Sequence, residues 1–398
     1  MHTASAQDDD EQVPQISPEL SEPESTTNGD SRLVLLADTR LRYEYVNTLD
    51  QPSNGEALTL RVRPSVELSP VSGLSFLAEA EAIVSLLPDR LNGFVSGSTR
   101  PGIADEETLE LNRLQVSFGP SDGIDFTLGR QRISLDDERF IGIVDFRQNQ
   151  QTYDAATMAI VGPANLTLRA GYIWRVGRVL GPERPDGVFD SDSFYVNAAL
   201  PLMFGQISAF HYDLDLDDRA GQKIRSRTTG GSLRGRAFPS EFGLFWELGY
   251  AKQESESASP EYARAALKAE RGEVALSVKF ERLGSEDGVA FQTPLATLHR
   301  FQGPADLFLT TPAQGIEDIE VNAVWRLGSL GPARGTRLSV QYNSYTPANG
   351  PGKYGDEWSG EIGATIASTR MSAAVAHYRA QDFASDTTRL WLTIARKF

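Results

Sequence analysis

The chain ends with Arg389-Leu390-Trp391-Leu392-Thr393-Ile394-Ala395-Arg396-Lys397-Phe398, a stretch in which two kinds of position alternate. Leu390, Leu392, Ile394 and Phe398 share one parity, so an extended strand would place all four on one face. A soluble domain has to cover such an apolar face with protein, whereas lipid covers it on a transmembrane β-barrel. The closing stretch therefore predicts a strand in the wall of an outer-membrane barrel.

The same alternation recurs along most of the chain. Residues 35–45 and 58–68 place apolar side chains on one parity and charged side chains, including the pairs Arg40/Arg42 and Arg61/Arg63, on the other. Candidate strands of about ten residues, long enough to cross a membrane at a tilt, begin near Leu33, Ala57, Leu74, Glu110, Ile124, Thr152, Leu166, Phe194, Gln206, Arg227, Phe242, Tyr262, Glu273, Asp318, Arg337, Glu357, Met371 and Thr387. The pattern predicts an all-β fold, a transmembrane antiparallel up-and-down β-barrel of about 18 strands.

The connections between these strands alternate in length. Short, turn-like connections occur at residues 69–73, 119–123, 162–165, 270–272 and 367–369, whereas long ones occur at 86–108, 133–151, 177–191 and 283–317. Short periplasmic turns and long extracellular loops are typical of outer-membrane barrels. We therefore expect the cell outer membrane of a Gram-negative bacterium as the location, with both chain ends on the periplasmic side.

The negative charge of the chain is concentrated in residues 7–31. This stretch contains eight carboxylates and no Lys or Arg, so it carries half of the net charge of −16. We interpret residues 7–31 as a disordered acidic leader, a possible handle for a periplasmic export partner, and residues 32–398 as the barrel. Ala4-Ser5-Ala6 matches the small-x-small pattern of a signal-peptidase site, so residues 1–6 are either the remnant of a signal peptide or a chance match.

Other functional classes have weak support in the sequence. The acidic net charge argues against a nucleic-acid partner. The chain has no cysteine, its four histidines are scattered, and no phosphate-binding or nucleophile motif is present, so we predict no enzyme activity, no cofactor and no metal. A Ser/His pair assembled across strands near His211 or His377 is the minor alternative.

Charged side chains on the polar parity are expected to face the lumen if lipid covers the other parity. The predicted inward basic residues are Arg40, Arg42, Arg61, Arg63, Arg113, Arg169, Arg234, Arg236, Lys279 and Arg326, and the acidic ones include Glu44 and Glu79. A row of guanidinium groups would bind the carboxylates of anionic sugars or organic acids. The alternative is that these arginines pair with acidic neighbours and simply fill a polar lumen.

Residues 129–155 are unusually rich in Arg, Asp, Gln and Asn, and include Arg130, Arg132, Arg139 and Arg147. We predict that this segment is a loop folded into the lumen, where the four arginines add to the pore lining; an exposed, solvated loop is the alternative. Arg130 and Arg132 share parity with the lipid-facing Leu128, so they require a bulge at Gly129 or a position above the membrane.

Two composite motifs occur in this chain. The first comprises Gly129-Arg130-Gln131, Arg139-Phe140-Ile141-Gly142, Phe146-Arg147-Gln148-Asn149 and Thr152-Tyr153-Asp154-Ala155, and the second extends from Leu283-Gly284-Ser285 through Leu298-His299-Arg300-Phe301-Gln302-Gly303 to Gly315-Ile316-Glu317-Asp318. Together they resemble the alginate export family of outer-membrane porins. The resemblance implies an 18-stranded barrel, an arginine-lined constriction, loops that occlude the pore, and passage of an anionic polysaccharide or a related solute.

The sequence thus leads to one main functional hypothesis and two alternatives. The main hypothesis is a passive outer-membrane channel, surrounded by lipid, that conducts an anionic oligo- or polysaccharide or another anionic solute. The first alternative is a general uptake porin for small organic anions or nutrients on the same fold. The second is an outer-membrane enzyme or scaffold.

Overall fold

The computed structural model describes residues 32–88, 98–121, 123–237 and 242–398. The predicted signal-peptide remnant and acidic leader lie outside these residues. The described chain consists almost entirely of β-strands, with two single-turn 3-10 helices at Pro163–Asn165 and Leu298–Arg300. No helix in the described ranges is long and apolar enough to cross a membrane.

Eighteen strands form the barrel wall, and they range from 8 to 17 residues. Their bounds are β1 Arg32–Thr48, β2 Gly55–Val71, β3 Leu74–Ser85, β4 Thr108–Ser121, β5 Ile124–Gln131, β6 Thr152–Val161, β7 Thr167–Gly177, β8 Val188–Leu202, β9 Gly205–Asp218, β10 Lys223–Ala237, β11 Phe242–Glu254, β12 Glu261–Arg271, β13 Val274–Leu283, β16 Ile316–Leu330, β17 Ala333–Thr346, β18 Gly355–Ile366, β19 Thr369–Ala380 and β20 Thr387–Lys397. Two short strands, β14 Ser285–Glu286 and β15 Val289–Ala290, form a separate hairpin between β13 and β16.

Each wall strand pairs antiparallel with the next one along the chain, and β1 pairs with β20 to close the ring. In this closing pair Leu41 lies opposite Ile394 and Tyr43 lies opposite Leu392. The closing stretch is thus a strand of the wall, because its partner strand satisfies the backbone groups that an open edge would expose. The prediction of a closed, antiparallel, 18-stranded barrel is confirmed.

Turns and loops are sorted to opposite ends of the barrel. Short connections follow the even-numbered strands from β2 to β8, for example the link from Val71 to Leu74 and the link from Leu202 to Gly205. The long connections at the other end include the first inward loop (residues 132–151, between β5 and β6) and the second inward loop (residues 284–315, between β13 and β16). This arrangement places the long loops on the extracellular side.

The outer surface of the wall is apolar. On β13, Val274, Leu276, Val278 and Phe280 point outward and are 36–56% exposed, whereas the intervening Lys279 is buried inside. Large aromatic side chains are also exposed on the outer face, namely Tyr172, Trp174, Tyr250, Trp325 and Trp358. A closed barrel with an apolar belt and interfacial aromatic residues is the architecture of Gram-negative outer-membrane proteins, and the predicted location in that membrane is confirmed.

The main hydrophobic core of the protein lies inside the extracellular half of the barrel. Ile141 of the first inward loop and Phe291 and Leu295 of the second pack against wall residues such as Tyr212 and Tyr262. The two loops also contact each other directly, through a parallel bridge between Ile141 and Leu295. The loops therefore fold inward and pack as a plug, because they bury apolar side chains against the inner wall.

Candidate functional site

Four arginines form a continuous basic row on the inner face of β1 and β2. Arg40 lies directly opposite Arg61 in the strand pairing, and Arg42 and Arg63 lie two residues from them on the same face. None of the four is more than 6% exposed. The alternation of the two strands brings these cations together, since every second residue of a strand points to the same side.

This arginine row binds the backbone of the first inward loop. The Nη1 group of Arg40 donates to the carbonyl oxygens of Asp145, Phe146 and Arg147, at 2.9, 3.1 and 3.2 Å. Arg61 and Arg63 each donate to the carbonyl oxygen of Gln148 at 3.4 Å. The row therefore anchors the loop, because each of its four guanidinium groups donates to a loop carbonyl and its side chains are buried.

The side chain of Gln148 completes the attachment of the loop. Its Nε2 group donates to the Thr59 hydroxyl at 2.9 Å and to the Thr59 carbonyl at 3.2 Å, while Asp105 accepts the Gln148 backbone N–H at 2.9 Å. Arg42 donates to the Phe146 carbonyl, and its guanidinium lies 4.4 Å from the centre of the Phe146 ring. Residues 145–148 are thus held to β1 and β2, and to Asp105 in the connection before β4.

Buried carboxylates balance much of the remaining inward charge. Arg61 pairs with Asp38, and Arg63 pairs with Glu81. Glu79 accepts from Arg113 at 2.8 Å and from Arg132 at 3.0 Å. The alternative that inward arginines pair with acidic neighbours therefore describes this part of the wall.

Two further arginines tie the inward loops to each other and to the wall. Arg147 of the first loop bridges Glu44 of β1 at 3.0 Å and Asp306 of the second loop at 2.6 Å. Arg139 of the first loop donates to Glu281 of β13 and to Thr293 and Gln302 of the second loop, at 3.0, 2.9 and 3.2 Å. Breaking such buried pairs is costly, because the partner charge is left uncompensated.

His299 lies at the centre of the contact between the two loops. Its ring stacks on Phe146 with 3.3 Å between centroids, and its Nδ1 atom lies 2.8 Å from Asp306 Oδ1. Burial lowers the pKa of His299, and the charges of Arg147 and Arg42 act in the same direction, although Asp306 opposes them. Burial alone would raise the pKa of Asp306, but His299 and Arg147 lower it well below the ordinary value. A neutral His299 therefore hydrogen-bonds an ionised Asp306.

A cavity of about 300 Å³ lies beneath the two loops, toward the short turns. Its basic lining residues are Arg40, Arg42, Arg139, Arg234, Arg264, Lys268, Lys279, Arg300, Arg337 and Arg370. Its acidic lining residues are Asp136, Asp137, Glu247, Glu320 and Glu361. The lining thus carries ten basic groups against five acidic groups, the opposite of the balance of the whole chain.

Aromatic rings lie beside several of the cavity's cations. The Arg139 guanidinium lies 4.5 Å from the centre of Phe301, and Lys268 Nζ lies 4.3 Å from the centre of Phe245. Trp391 also lines the cavity and packs edge-on against Phe146 at 5.7 Å. A cavity of this composition can bind an anionic group and a flat or apolar body at the same time.

Most of the predicted site residues fall into three groups. Arg40, Arg42, Arg139 and Arg234 reach the cavity, and Arg234 donates to Gln206 at 3.2 Å. The second group forms buried contacts with the inward loops and the adjacent wall, and it comprises Arg61, Arg63, Arg113, Arg132, Arg147, Glu44 and Glu79. The third group, Arg169 and Arg236, lies on the inner face of β7 and β10, opposite Asn197 and Phe245.

Arg130 was predicted to line the pore, but the structure places it on the outer face of the wall. It lies opposite the exposed Leu114 in the β4–β5 pairing and binds Asp154 at 2.6 Å, so it points to the outer face near the loop end of the wall. Gly129 adopts a φ of +115°, yet the β4–β5 register continues without a shift there. The unbroken register keeps Arg130 on the parity of Leu128, while Arg132, just beyond the strand, turns inward to Glu79.

Sequence reasoning missed five of the cavity's basic residues, Arg264, Lys268, Arg300, Arg337 and Arg370. A signal was available for Arg264 and Lys268, which share a parity with Tyr262 and Ala266 on β12. Arg337 and Arg370 lie in the turn-proximal parts of β17 and β19, where weak alternation leaves the inward face undefined. Arg300 lies in a loop, whose inward fold no strand periodicity could reveal.

The histidines of the minor enzyme alternative lie on the outer wall. His211 is bound to Thr229 at 2.8 Å and lies beside the exposed Phe194, and His377 is bound to Thr388 at 2.9 Å opposite the exposed Trp358. A pair assembled around either ring would face lipid rather than a water-filled site.

No protein-family model matches the chain, and no curated protein matches it. Solved structures of outer-membrane porins do match over nearly the full barrel. Pseudomonas aeruginosa OccK9 (OpdG) has a TM-score of 0.73 at 16% identity, covering 92% of this chain and 98% of that chain. Pseudomonas aeruginosa OpdK with vanillate has a TM-score of 0.68 at 17% identity, and OccK2 (OpdF) in complex with glucuronate has 0.67 at 14%, each with the same coverage of both chains.

At these identities the likeness establishes the fold. It also corrects the family resemblance drawn from the sequence, because the matching structures are OccK and OpdK porins and not alginate export porins. The two motif stretches behind that resemblance form the two inward loops and the strand ends beside them. These stretches form the loops that fill the barrel interior, and their presence does not show that the chain belongs to the alginate export family.

Proposed function

We propose that the protein is a passive outer-membrane channel for the uptake of small organic anions. The observation that carries this proposal is the composition of the cavity, in which ten basic side chains face five acidic ones inside a chain with a net charge of −16. Charge of one sign along a narrow, low-dielectric path raises the local concentration of the opposite ion. Guanidinium groups also bind carboxylates with a defined geometry.

The size of the passage supports a small solute rather than a polymer. The cavity of about 300 Å³ lies at the lower end of the range of about 300–1,000 Å³ for small-molecule sites. The two inward loops also pack against each other above the cavity. The solutes bound to two structural neighbours, vanillate in OpdK and glucuronate in OccK2, are ring compounds of this size class that bear a carboxylate.

Ion selectivity in planar bilayers tests the proposal. In a salt gradient the wild-type channel is expected to show an anion-selective reversal potential, and Arg234→Gln and Arg370→Gln are expected to shift that potential toward cation selectivity. Arg271→Gln, at the exposed last residue of β12, is the matched control. A cation-selective wild-type channel, or equal potentials in all four proteins, would contradict an anion path through this cavity.

Solute flux is the second test. Proteoliposomes are expected to admit benzoate and glucuronate faster than neutral sugars of similar size, and the two cavity variants are expected to reduce that preference. Equal entry of charged and neutral solutes would leave a channel without the proposed selectivity.

A further inference from the structure

The inner wall near the short turns carries positive charge that lies outside the cavity. Arg169 of β7 and Arg236 of β10 are on the inner face, and both side chains are exposed. Arg236 stacks on Phe245, with its guanidinium 4.9 Å from the ring centre, and neither arginine forms an ion pair with a carboxylate in the described ranges. Both cations can therefore bind an anionic group at the turn end of the lumen.

Two cations on the neighbouring strands share a single carboxylate. Lys268 of β12 and Arg326 of β16 both bind Glu270, at 2.8 and 3.1 Å. All three side chains lie near the turn ends of their strands. Two positive charges thus meet one negative charge here, which leaves a net positive charge beside Arg236.

Arg234 of β10 adds to this excess. Glu247 lies opposite it in the β10–β11 pairing, but that carboxylate binds Arg264 at 3.3 Å instead. We call the five cations of this region the basic mouth, and they are Arg169, Arg234, Arg236, Lys268 and Arg326. A region of one sign of charge at the end of a low-dielectric channel attracts the opposite charge.

The basic mouth lies across the lumen from the start of β1. In the ring of eighteen wall strands, β10 is the ninth strand from β1 in either direction. Arg32, the first residue of β1, lies at the turn end, opposite Ser69 of β2. Near β1 the inner face carries Glu67 and Asp125 as well as Lys397, so the excess of positive charge is on the far side.

The acidic leader joins the wall at this rim and carries the opposite charge. Residues 7–31 precede Arg32 directly and contain eight carboxylates and no Lys or Arg. Strands lie about 4.8 Å apart, so a ring of this many tilted strands is about 30–40 Å across. An extended chain advances about 3.3 Å per residue. Glu19 and Glu22, which are 13 and 10 residues before Arg32, can therefore reach the far side of the mouth.

We propose that residues 7–31 dock on the basic mouth and cross the turn end of the lumen, so that the chain carries its own anionic ligand. Carboxylates form paired hydrogen bonds with guanidinium groups. The tether holds the leader at a high effective concentration, so weak individual contacts are sufficient. A docked leader competes with solute anions for these cations. That competition rests on the proposed function, whereas the docking itself does not.

Distance measurements on the full chain test the docking. The chain has no cysteine, so Ser21→Cys in the leader and Thr167→Cys, on the same face of β7 as Arg169, provide one pair of spin labels. A narrow distance distribution is expected at 0.1 M salt and a broad one at 1 M, because the screening length falls from about 10 Å to about 3 Å. The matched control is a neutral-leader variant with all eight carboxylates changed to amides, which is expected to give the broad distribution at both salt concentrations.

Planar-bilayer recordings test the consequence for the lumen. At low salt the wild type is expected to show interruptions of the current, and the neutral-leader variant is expected to reduce the fraction of time spent blocked several-fold. Arg169→Gln combined with Arg236→Gln is expected to have the same effect with the leader intact. Arg271→Gln, at the exposed last residue of β12, is expected to behave as the wild type does.

Two results would overturn the inference. Equal distance distributions in the labelled wild type and the labelled neutral-leader variant would show that the leader does not dock, and would favour a periplasmic partner as its ligand. Equal blocked fractions in the wild type and the neutral-leader variant would show that the leader does not compete with solutes. A failure of the proposed function is recognised separately, because the reversal potential of the neutral-leader variant reports the selectivity of the cavity whether or not the leader docks.

Discussion

Arg40 and Arg61 lie directly opposite each other across the β1–β2 pair, and both donate to backbone carbonyls of the same inward loop. Two buried cations in direct opposition would normally repel. Here the carbonyl dipoles of residues 145–148 and the carboxylate of Asp38 offset that repulsion. The basic row is therefore a structural anchor as well as a source of positive potential.

Replacing Arg40 by Ala is expected to increase the single-channel conductance. The change removes a charged Nη1 group whose two N–H donors are shared among three loop carbonyls. A hydrogen bond from a charged donor contributes about 1.5–3 kcal/mol, so the loop leaves its inserted position more often. Planar-bilayer recordings measure the effect, and Arg236→Ala, an inward arginine of β10 opposite Phe245, is the control. If only the ion selectivity changes while the conductance stays constant, Arg40 acts on ions and not on the loop.

Acidification is expected to destabilise the packed loops through His299. Because burial holds its folded-state pKa below the ordinary value, which is about 6.5, a displaced loop binds the proton more readily than the inserted loop. The inserted state therefore loses stability as the pH falls below about 6.5. Asp306 has a lowered pKa, so its contribution persists at higher pH and is lost only as the pH falls below the ordinary value for Asp, about 3.9.

Channel recordings at pH 7.5 and pH 5 test this expectation. The wild type is expected to show more conductance fluctuations at pH 5, and His299→Gln is expected to weaken that pH dependence. His211→Gln, a histidine on the outer wall bound to Thr229, serves as the control. A pH response that is the same in wild type and His299→Gln would assign the effect to another group.

Adding a side chain at Gly303 is expected to displace the second inward loop. Gly303 has a φ of +76°, and a Cβ atom there would overlap the Tyr345 hydroxyl and the Glu357 carboxylate. Gly303→Ala should lower the melting temperature and raise the conductance. Gly288→Ala is a matched control, because Gly288 has a similar φ of +80° with no atom near the added Cβ. Equal destabilisation by both variants would show that backbone strain alone, without the overlap, sets the cost.

A charge on the outer wall is expected to destabilise the barrel in lipid. Val340 of β17 is 45% exposed and lies opposite Ala323 of β16 and Gly360 of β18. Val340→Arg should cost about 2–4 kcal/mol near the bilayer centre, measured by reversible unfolding in lipid vesicles. Glu273→Arg, on the turn side, should cost much less. A negligible cost for Val340→Arg would mean that this face does not contact hydrocarbon.

The wall of the barrel could be predicted from the sequence because lipid imposes one rule on every strand. Predicted and observed strand starts agree within about two residues at β2, β3, β5 and β6, for example. They differ where strands extend beyond the membrane, as at β8, which begins at Val188 rather than Phe194. The part of β9 that extends beyond the membrane places its apolar residues on the inner face instead of the outer one. Leu214 and Leu216 face the packed inward loops, while Asp213 and Asp215 face out.

The interior could be predicted only in part. The parity of β1 and β2 was sufficient to bring Arg40, Arg42, Arg61 and Arg63 together, since strand pairing is a local rule. The sequence does not reveal that these side chains bind loop carbonyls. Those contacts depend on how residues 132–151 pack, and the packing of a loop leaves no periodic pattern in the sequence. For the same reason the cavity residue Arg300, on the second inward loop, was not found.

The apolar core inside the extracellular half has a consequence for assembly. Its members come from the inward loops and from strands as distant in sequence as β6 and β20, which carry Tyr153 and Trp391. The loops can complete this packing only when those strands surround them, because the surface against which they pack is built from all of these strands. Closure of the wall and final packing of the two loops are therefore coupled steps in the folding of this protein.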